Sequence, residues 1–208
     1  MYIPPSFSQE SAAALDLITR EPFGLLVSMA QGEVLLTHLP WCVAQTEPTI
    51  RLCGHFAKAN PHWRNLDGAA VVVAFTGAHG YISPRWYAEP RRDVPTWNYE
   101  VVHCSGTARI APRSDTPAIL SRLVDAMEKQ APQPWSIHTL DPHYFEELQE
   151  GIVAVYIDVH TVEGKSKLSQ NRSATDRDGA IAGLRKSLRP QDHQLADAME
   201  CTLQQAKK

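Results

Sequence analysis

Apolar and polar positions alternate along this chain in two distinct rhythms. Residues 8–20, SQESAAALDLITR, repeat at helical spacing: Ser8 is placed to cap the opening N–H groups, Glu10 complements the positive helix end and Pro22 stops continuation. Two extended apolar runs follow, FGLLVSM and EVLLTHLP, joined by Ala30-Gln31-Gly32, a pattern that predicts a β-hairpin. A third run, PTIRLCGHF, comes after the turn-rich Gln45–Pro48. Asn60-Pro61 then opens a short helix, with the asparagine as cap and the proline at the first helical position, and Asp67-Gly68 ends it. AAVVVAFTG is continuous, β-branched and bounded by glycine, so it predicts a strand in the interior of a sheet, and HGYISP predicts another.

Residues 84–96 carry Pro84, Pro90, Pro95 and Arg91-Arg92-Asp93 and read as an exposed loop. WNYEVVHCSGTARIA is a long extended segment with Gly106 as a bulge or bend. Thr116–Gln130 predicts a helix with Leu120, Leu123, Val124 and Met127 on one face; Asp141-Pro142 opens a further short helix, and GIVAVYIDVHTVEG is the last strand. From Thr175 the chain is helical, broken at Arg189-Pro190, with Leu195, Met199 and Leu203 forming one apolar seam. Six or seven strands joined mainly by short turns favour antiparallel pairing, and such a sheet removes its edges by curling. The predicted fold is mainly β, an antiparallel β-barrel with peripheral helices.

Composition narrows the class. Of 208 residues, 43% are hydrophobic and 8% aromatic, which excludes a disordered chain. No uncharged apolar stretch approaches the roughly 18–20 residues that span a bilayer, and Met1-Tyr2-Ile3-Pro4-Pro5 lacks the basic start and apolar core of a secretory signal. A cytoplasmic protein without membrane contact is expected. The net charge of −3 disfavours nonspecific DNA binding. Cys42, Cys53, Cys104 and Cys201 show no Cys-x-x-Cys spacing and are expected as unpaired small hydrophobes. The nine histidines form no His-Glu-x-x-His, so no metal site is expected. Neither a Gly-x-Ser-x-Gly elbow, a P-loop nor a Gly-x-Gly-x-x-Gly is present, and adjacent His103 and Cys104 on a strand point to opposite faces. No catalytic residue is assigned.

Polar and aromatic residues collect in four segments: Thr37-His38-Leu39-Pro40, Gly54 to Trp63, the aromatics of Tyr81–Tyr87 and Val94–Tyr99, and Lys165 to Arg172. A strand ending in Gly54-His55, then Lys58, then a helix opened by Asn60 is either a phosphate cradle or an ordinary strand-to-helix turn. The aromatics are either ring platforms for a flavin or nucleobase, or core and interface residues. KSKLSQNR offers cations and amides without periodicity, as a loop folded onto an anionic ligand or as a solvated loop.

At these segments the chain resembles the PaiB family, described as FMN-binding negative transcriptional regulators. The resemblance runs from Met1-Tyr2-x-Pro through THLP, GHFAKANPHW, GAHGYISPRWY, VPTWNYEVVH and KLSQNR to the helical tail. It implies an antiparallel split β-barrel of the pyridoxamine-phosphate-oxidase-like, FMN-binding type over residues 1–174, with a helical tail over 175–208 packed on the barrel or the dimer. It also implies a homodimer with FMN in clefts between subunits. The implied cofactor-binding residues are Thr37, His38 and Leu39 beside the isoalloxazine, His55, Lys58 and Asn60 at the phosphate, and Trp97, Asn98, Tyr99, Lys167, Gln170, Asn171 and Arg172 from the barrel. Ala57 stands where an arginine would strengthen the phosphate site, so Lys167 or Arg172 is expected to make up the charge. A DNA or protein partner is not supported by the charge. The alternatives are an FMN-dependent oxidoreductase, with His38, Tyr81 and Trp97 lining a substrate cleft, and an interaction module with a decayed cofactor site.

Overall fold

The computed structural model describes residues 1–45 and 49–205. The expected turn at Gln45–Pro48 falls on residues 46–48, outside the described residues. In chain order the elements are α1 (Ser11–Arg20), β1 (Phe23–Ala30), β2 (Glu33–Pro40), β3 (Cys42–Gln45), β4 (Arg51–Ala57), β5 (Ala70–Ile82), β6 (Thr96–Ile110), α2 (Thr116–Glu128), α3 (Pro142–Glu150), β7 (Ile152–Lys167), α4 (Ala174–Arg185) and α5 (Pro190–Gln205). The sheet order is β2-β1-β5-β6-β7-β4-β3, with β1 antiparallel to β2 and β5, and β4 antiparallel to β3 and β7.

Local chemistry explains most of these elements. The β1–β2 hairpin is in register from Phe23↔Pro40 to Ala30↔Glu33, and its two turn residues, Gln31 and Gly32, have φ of 53° and 84°. Two consecutive positive φ values give the tight turn whose twist matches antiparallel strands. Asn60 caps a 3-10 turn over Pro61–Asn65 by accepting the His62 N–H, and Asp141 caps α3 by accepting the Tyr144 N–H.

Elsewhere the structure corrects the reading. The first helix starts at Ser11, not Ser8, because Ser8 bridges Lys165 and the Gln9 N–H donates to the Gly164 carbonyl. AAVVVAFTG and HGYISP are one strand, β5, since the glycines between them stay extended; at Gly80 the missing Cβ admits Leu195. β7 runs on to Lys167, so the first residues of KSKLSQNR are strand. Helix α2 buries Thr116, Ile119 and Leu123, while Met127 is exposed. Gly106 sits where an added Cβ would lie under 3.0 Å from the Asp158 carbonyl: it marks close approach of β6 to β7.

The chain divides into two compact bodies. One comprises Met1–Ala13, Thr76–Val102 and Glu163–Lys208. Its core is Ile82, Tyr87, Leu168, Ala180, Ile181, Leu184, Leu195, Ala196 and Met199, so α4 and α5 are integral to it. Trp86 lies directly on Gly179 and Gly183, where any Cβ would collide with it. The tail seam is therefore covered within the chain at Leu195 and Met199; the Leu203 side chain lies outside the described residues. Fully burying each such side chain stabilises by about 1.5–3 kcal/mol. The other body comprises Ala14–Phe75 and His103–Val162, with Leu26, Trp41, Leu52, Phe56, Leu66, Val73 and Phe75 fully buried.

Candidate functional site

In the second body, β2 delivers Thr37 to a cluster built around the turn at Asn60. The Asn60 Oδ1 accepts the His62 N–H at 3.0 Å, and its Nδ2 donates to Thr37 Oγ1 at 3.3 Å. The His62 ring is 4% exposed; its Nδ1 lies 2.7 Å from Thr37 Oγ1 and its Nε2 2.8 Å from Ser28 Oγ. Phe56 meets the imidazole edge-on at 5.5 Å. Burial holds the His62 pKa below its ordinary value, so the ring stays neutral, with one nitrogen donating and the other accepting. The cluster forms one wall of a recess of about 230 Å³, whose remaining lining is Leu35, Leu36, Pro61 and Asn65.

The neighbouring expected residues are distributed differently. Residues on β2 alternate, so Thr37 and the buried Leu39 share one face while His38 is on the other, stacked on Phe23 at 5.7 Å. Buried His55 Nδ1 has no hydrogen-bond partner among the described residues, and desolvation lowers the ring's pKa. Lys58 is exposed; its N–H donates to the Gly151 carbonyl and its carbonyl accepts from Trp63 Nε1.

In the first body a second cluster forms, and most of its donors have partners there. The Lys167 ammonium donates to Thr96 Oγ1 and to the Trp97 carbonyl at 2.9 Å, and desolvation foremost lowers its pKa. Gln170 folds back, donating to the Ser166 carbonyl and accepting the Leu168 N–H. Arg172 pairs with Asp93 at 2.6 Å and lies over the Tyr87 ring at 4.8 Å. Buried Asn98 donates to Ser169 Oγ at 2.9 Å, which helps hold Ser169 at its φ of 66°, a backbone state uncommon outside glycine. Tyr99 takes the Lys165 ammonium over its ring at 5.2 Å, Trp97 is half exposed and stacks on His79, and Asn171 is exposed.

Thr37 and Asn60 are thus brought together in one cluster; Asn98 and Gln170 are knitted into the loop that follows β7, Lys167 ties the end of β7 to Thr96 and Trp97, and Arg172 pairs with Asp93. Sequence reasoning missed Ser28 and His62 as site residues. A signal for Ser28 was present: it is a hydroxyl at a core-facing position of an otherwise apolar strand, in step with Leu26. Among the described residues no group of histidine, cysteine or carboxylate side chains can hold a metal, and no helix is long and apolar enough to cross a membrane.

Comparison with known proteins adds a family and a fold. A family model described as "Putative FMN-binding domain" matches residues 1–161. The chain is 35% identical over 202 residues to the protease synthase and sporulation protein PAI 2 of Bacillus subtilis, covering 96% of this chain and 97% of the relative. Among solved structures, the FAD and heme binding protein from Mycobacterium smegmatis aligns over 84% of this chain and 80% of its own, at 15% identity and a TM-score of 0.59. The flavocytochrome Anf3 from Azotobacter vinelandii aligns over 77% of this chain and 69% of its own, at 17% identity and a TM-score of 0.58. The fold is the mainly β, antiparallel split barrel expected from the sequence.

Proposed function

The chain belongs to the PaiB family of FMN-binding-domain proteins, and on that footing we propose that it is a homodimeric FMN-binding regulator whose flavin is anchored at Thr37, Asn60 and Lys58. The observation that carries the reading is the Thr37 hydroxyl. With the ring hydrogen of His62 on Nδ1, Thr37 accepts from both His62 and Asn60, which leaves its own hydrogen to donate into the recess. A phosphoryl, ribityl or pyrimidine oxygen suits that donor.

The residues fit one end of FMN. Hydroxyl and amide donors stand beside apolar side chains, and the exposed ammonium of Lys58 follows β4. A charge-assisted bond from Lys58 to phosphate contributes about 1.5–3 kcal/mol. A recess of about 230 Å³ is below the roughly 300–1,000 Å³ of complete small-molecule sites, so it suits part of the cofactor. A second copy of the chain then supplies the rest. The outer face of the β1–β2 hairpin supports that dimer: Phe23, Met29, Val34 and Leu36 are 64%, 67%, 58% and 60% exposed and share one face of the two paired strands.

FMN, when bound, supplies one- and two-electron redox chemistry at its ring system. Thr37 and Asn60 bind and orient, His62 and Ser28 fix the rotamer of Thr37, and Leu35 and Pro61 supply apolar surface. With a net charge of −3, regulation acts through the flavin state or a protein partner in preference to direct DNA contact. The test is a titration of purified protein with FMN, followed by sizing and addition of a reduced nicotinamide nucleotide. A flavin-loaded dimer without turnover is expected. Rapid reduction and reoxidation selects an FMN-dependent oxidoreductase instead, and failure to retain FMN removes the reading.

A further inference from the structure

Cys42 on β3 and Cys53 on β4 are direct cross-strand partners, and their sulfurs lie 2.9 Å apart. Directly opposed residues in an antiparallel pair have Cα atoms about 4.5 or 5.5 Å apart, and both distances fall within the roughly 4.4–6.8 Å that a disulfide spans. The sulfurs need to approach by less than about 1 Å to reach bonding distance. Cys42 is 7% exposed and Cys53 0% exposed, packed with Ala111, Ile119, Leu123 and Ala154 beneath α2. A bulky disulfide reagent cannot reach such a pair, so the oxidant has to be small.

We propose that Cys42 and Cys53 form an oxidisable dithiol that closes to a disulfide with hydrogen peroxide, tying β3 to β4 two residues before His55. The shared hydrogen bond foremost, and Arg122, favour charge on one sulfur against the desolvation that burial imposes. Loss of one proton leaves a sulfur that accepts the remaining S–H, and the Arg122 guanidinium, whose Nη1 donates to the Ala44 carbonyl at 3.3 Å, favours that charge. The second proton is held far more tightly than in a free thiol, because of the shared hydrogen bond foremost and of burial. Tyr156, half-buried beside the pair, donates its phenol to Asp115 and stays protonated, its pKa raised by desolvation foremost.

The steps balance. A thiolate sulfur attacks peroxide, forming the S–O bond of a sulfenic acid as the O–O bond breaks, and the departing hydroxide takes a proton to become water. The partner sulfur then attacks the sulfenic sulfur; the S–S bond forms, the S–O bond breaks, and hydroxide leaves with the partner's proton as a second water. Two thiols and one peroxide give one disulfide and two waters.

The test uses full-length Cys201→Ser protein, which removes the exposed thiol. Reduced protein is treated with a few equivalents of hydrogen peroxide, then unfolded in N-ethylmaleimide and weighed intact. Of the four cysteines three remain, so the untreated chain takes three maleimides and the oxidised chain is expected to take one. Digestion without reductant is expected to yield one peptide joining Cys42 to Cys53, released by a dithiol. Adding Cys42→Ala should abolish the linked peptide. Three maleimides after peroxide, or a cross-link through Cys104, overturns the proposal.

Discussion

Thr37→Val is the perturbation that separates a binding hydroxyl from a packing one, because valine nearly preserves the side-chain shape while removing the oxygen. The structure sets the magnitude. The hydroxyl meets His62 Nδ1 at 2.7 Å and the Asn60 amide at 3.3 Å. Asn60 is only half-buried, so its amide can find water. The imidazole is buried and cannot, and an unsatisfied buried nitrogen costs about 1–3 kcal/mol. We therefore expect a loss near 2 kcal/mol, which at a urea slope of about 2–3 kcal/mol/M lowers the midpoint by roughly 0.7–1 M. The same variant loses the donor aimed into the recess, and about 1.4 kcal/mol of lost binding raises the FMN dissociation constant roughly tenfold. Urea unfolding followed by tryptophan fluorescence, together with quenching of flavin fluorescence, reads both quantities. A double-mutant cycle with Ser28→Ala should show coupling through the shared His62 ring. An unchanged midpoint refutes the hydrogen-bonded network; a lowered midpoint with unchanged FMN affinity refutes its role at the cofactor.

Further predictions rest on different contacts. Lys58→Ala should weaken FMN binding by about 1.5–3 kcal/mol in a titration, with the urea midpoint unmoved because the side chain is exposed. Gly106→Ala forces a methyl against the Asp158 carbonyl between β6 and β7 and should cost about 3 kcal/mol or more, seen as a large drop in thermal midpoint. His55 and His62 both have pKa values lowered by burial from 6.5, so the unfolded chain binds protons that the folded chain refuses. Their contribution is complete above that unfolded value and is lost as the pH falls below it towards the folded values. Urea midpoints should therefore be higher at pH about 7.5 than at about 5.5, and His62→Gln should shrink the difference.

What the sequence made legible was local. The hairpin turn at Gln31-Gly32, the cap at Asn60 and the cap at Asp141 each act through bonds to residues two or three positions away, so their signals survive without tertiary context. The interior position of β5 followed from its unbroken apolar run. What was not legible depended on distant partners. His62 is buried because Ser28, thirty-four residues earlier, receives its ring, and nothing near His62 announces this. The short strand β3 exists because β4 offers it a register. The seam of α5 is covered by Ile82, Leu168 and α4, partners that its own periodicity does not name. KSKLSQNR was read as one donor-rich loop, yet three of its residues belong to β7 and Lys167, Gln170 and Arg172 have partners within their own body.

The proposed function requires that this chain hold a flavin. The most direct measurement saturates the purified protein with FMN, removes free ligand on a sizing column, and records visible absorbance per chain in the eluted peak. Close to one flavin per chain is expected, co-eluting with a dimer. A colourless peak, from protein shown to be folded by its cooperative urea transition, contradicts it.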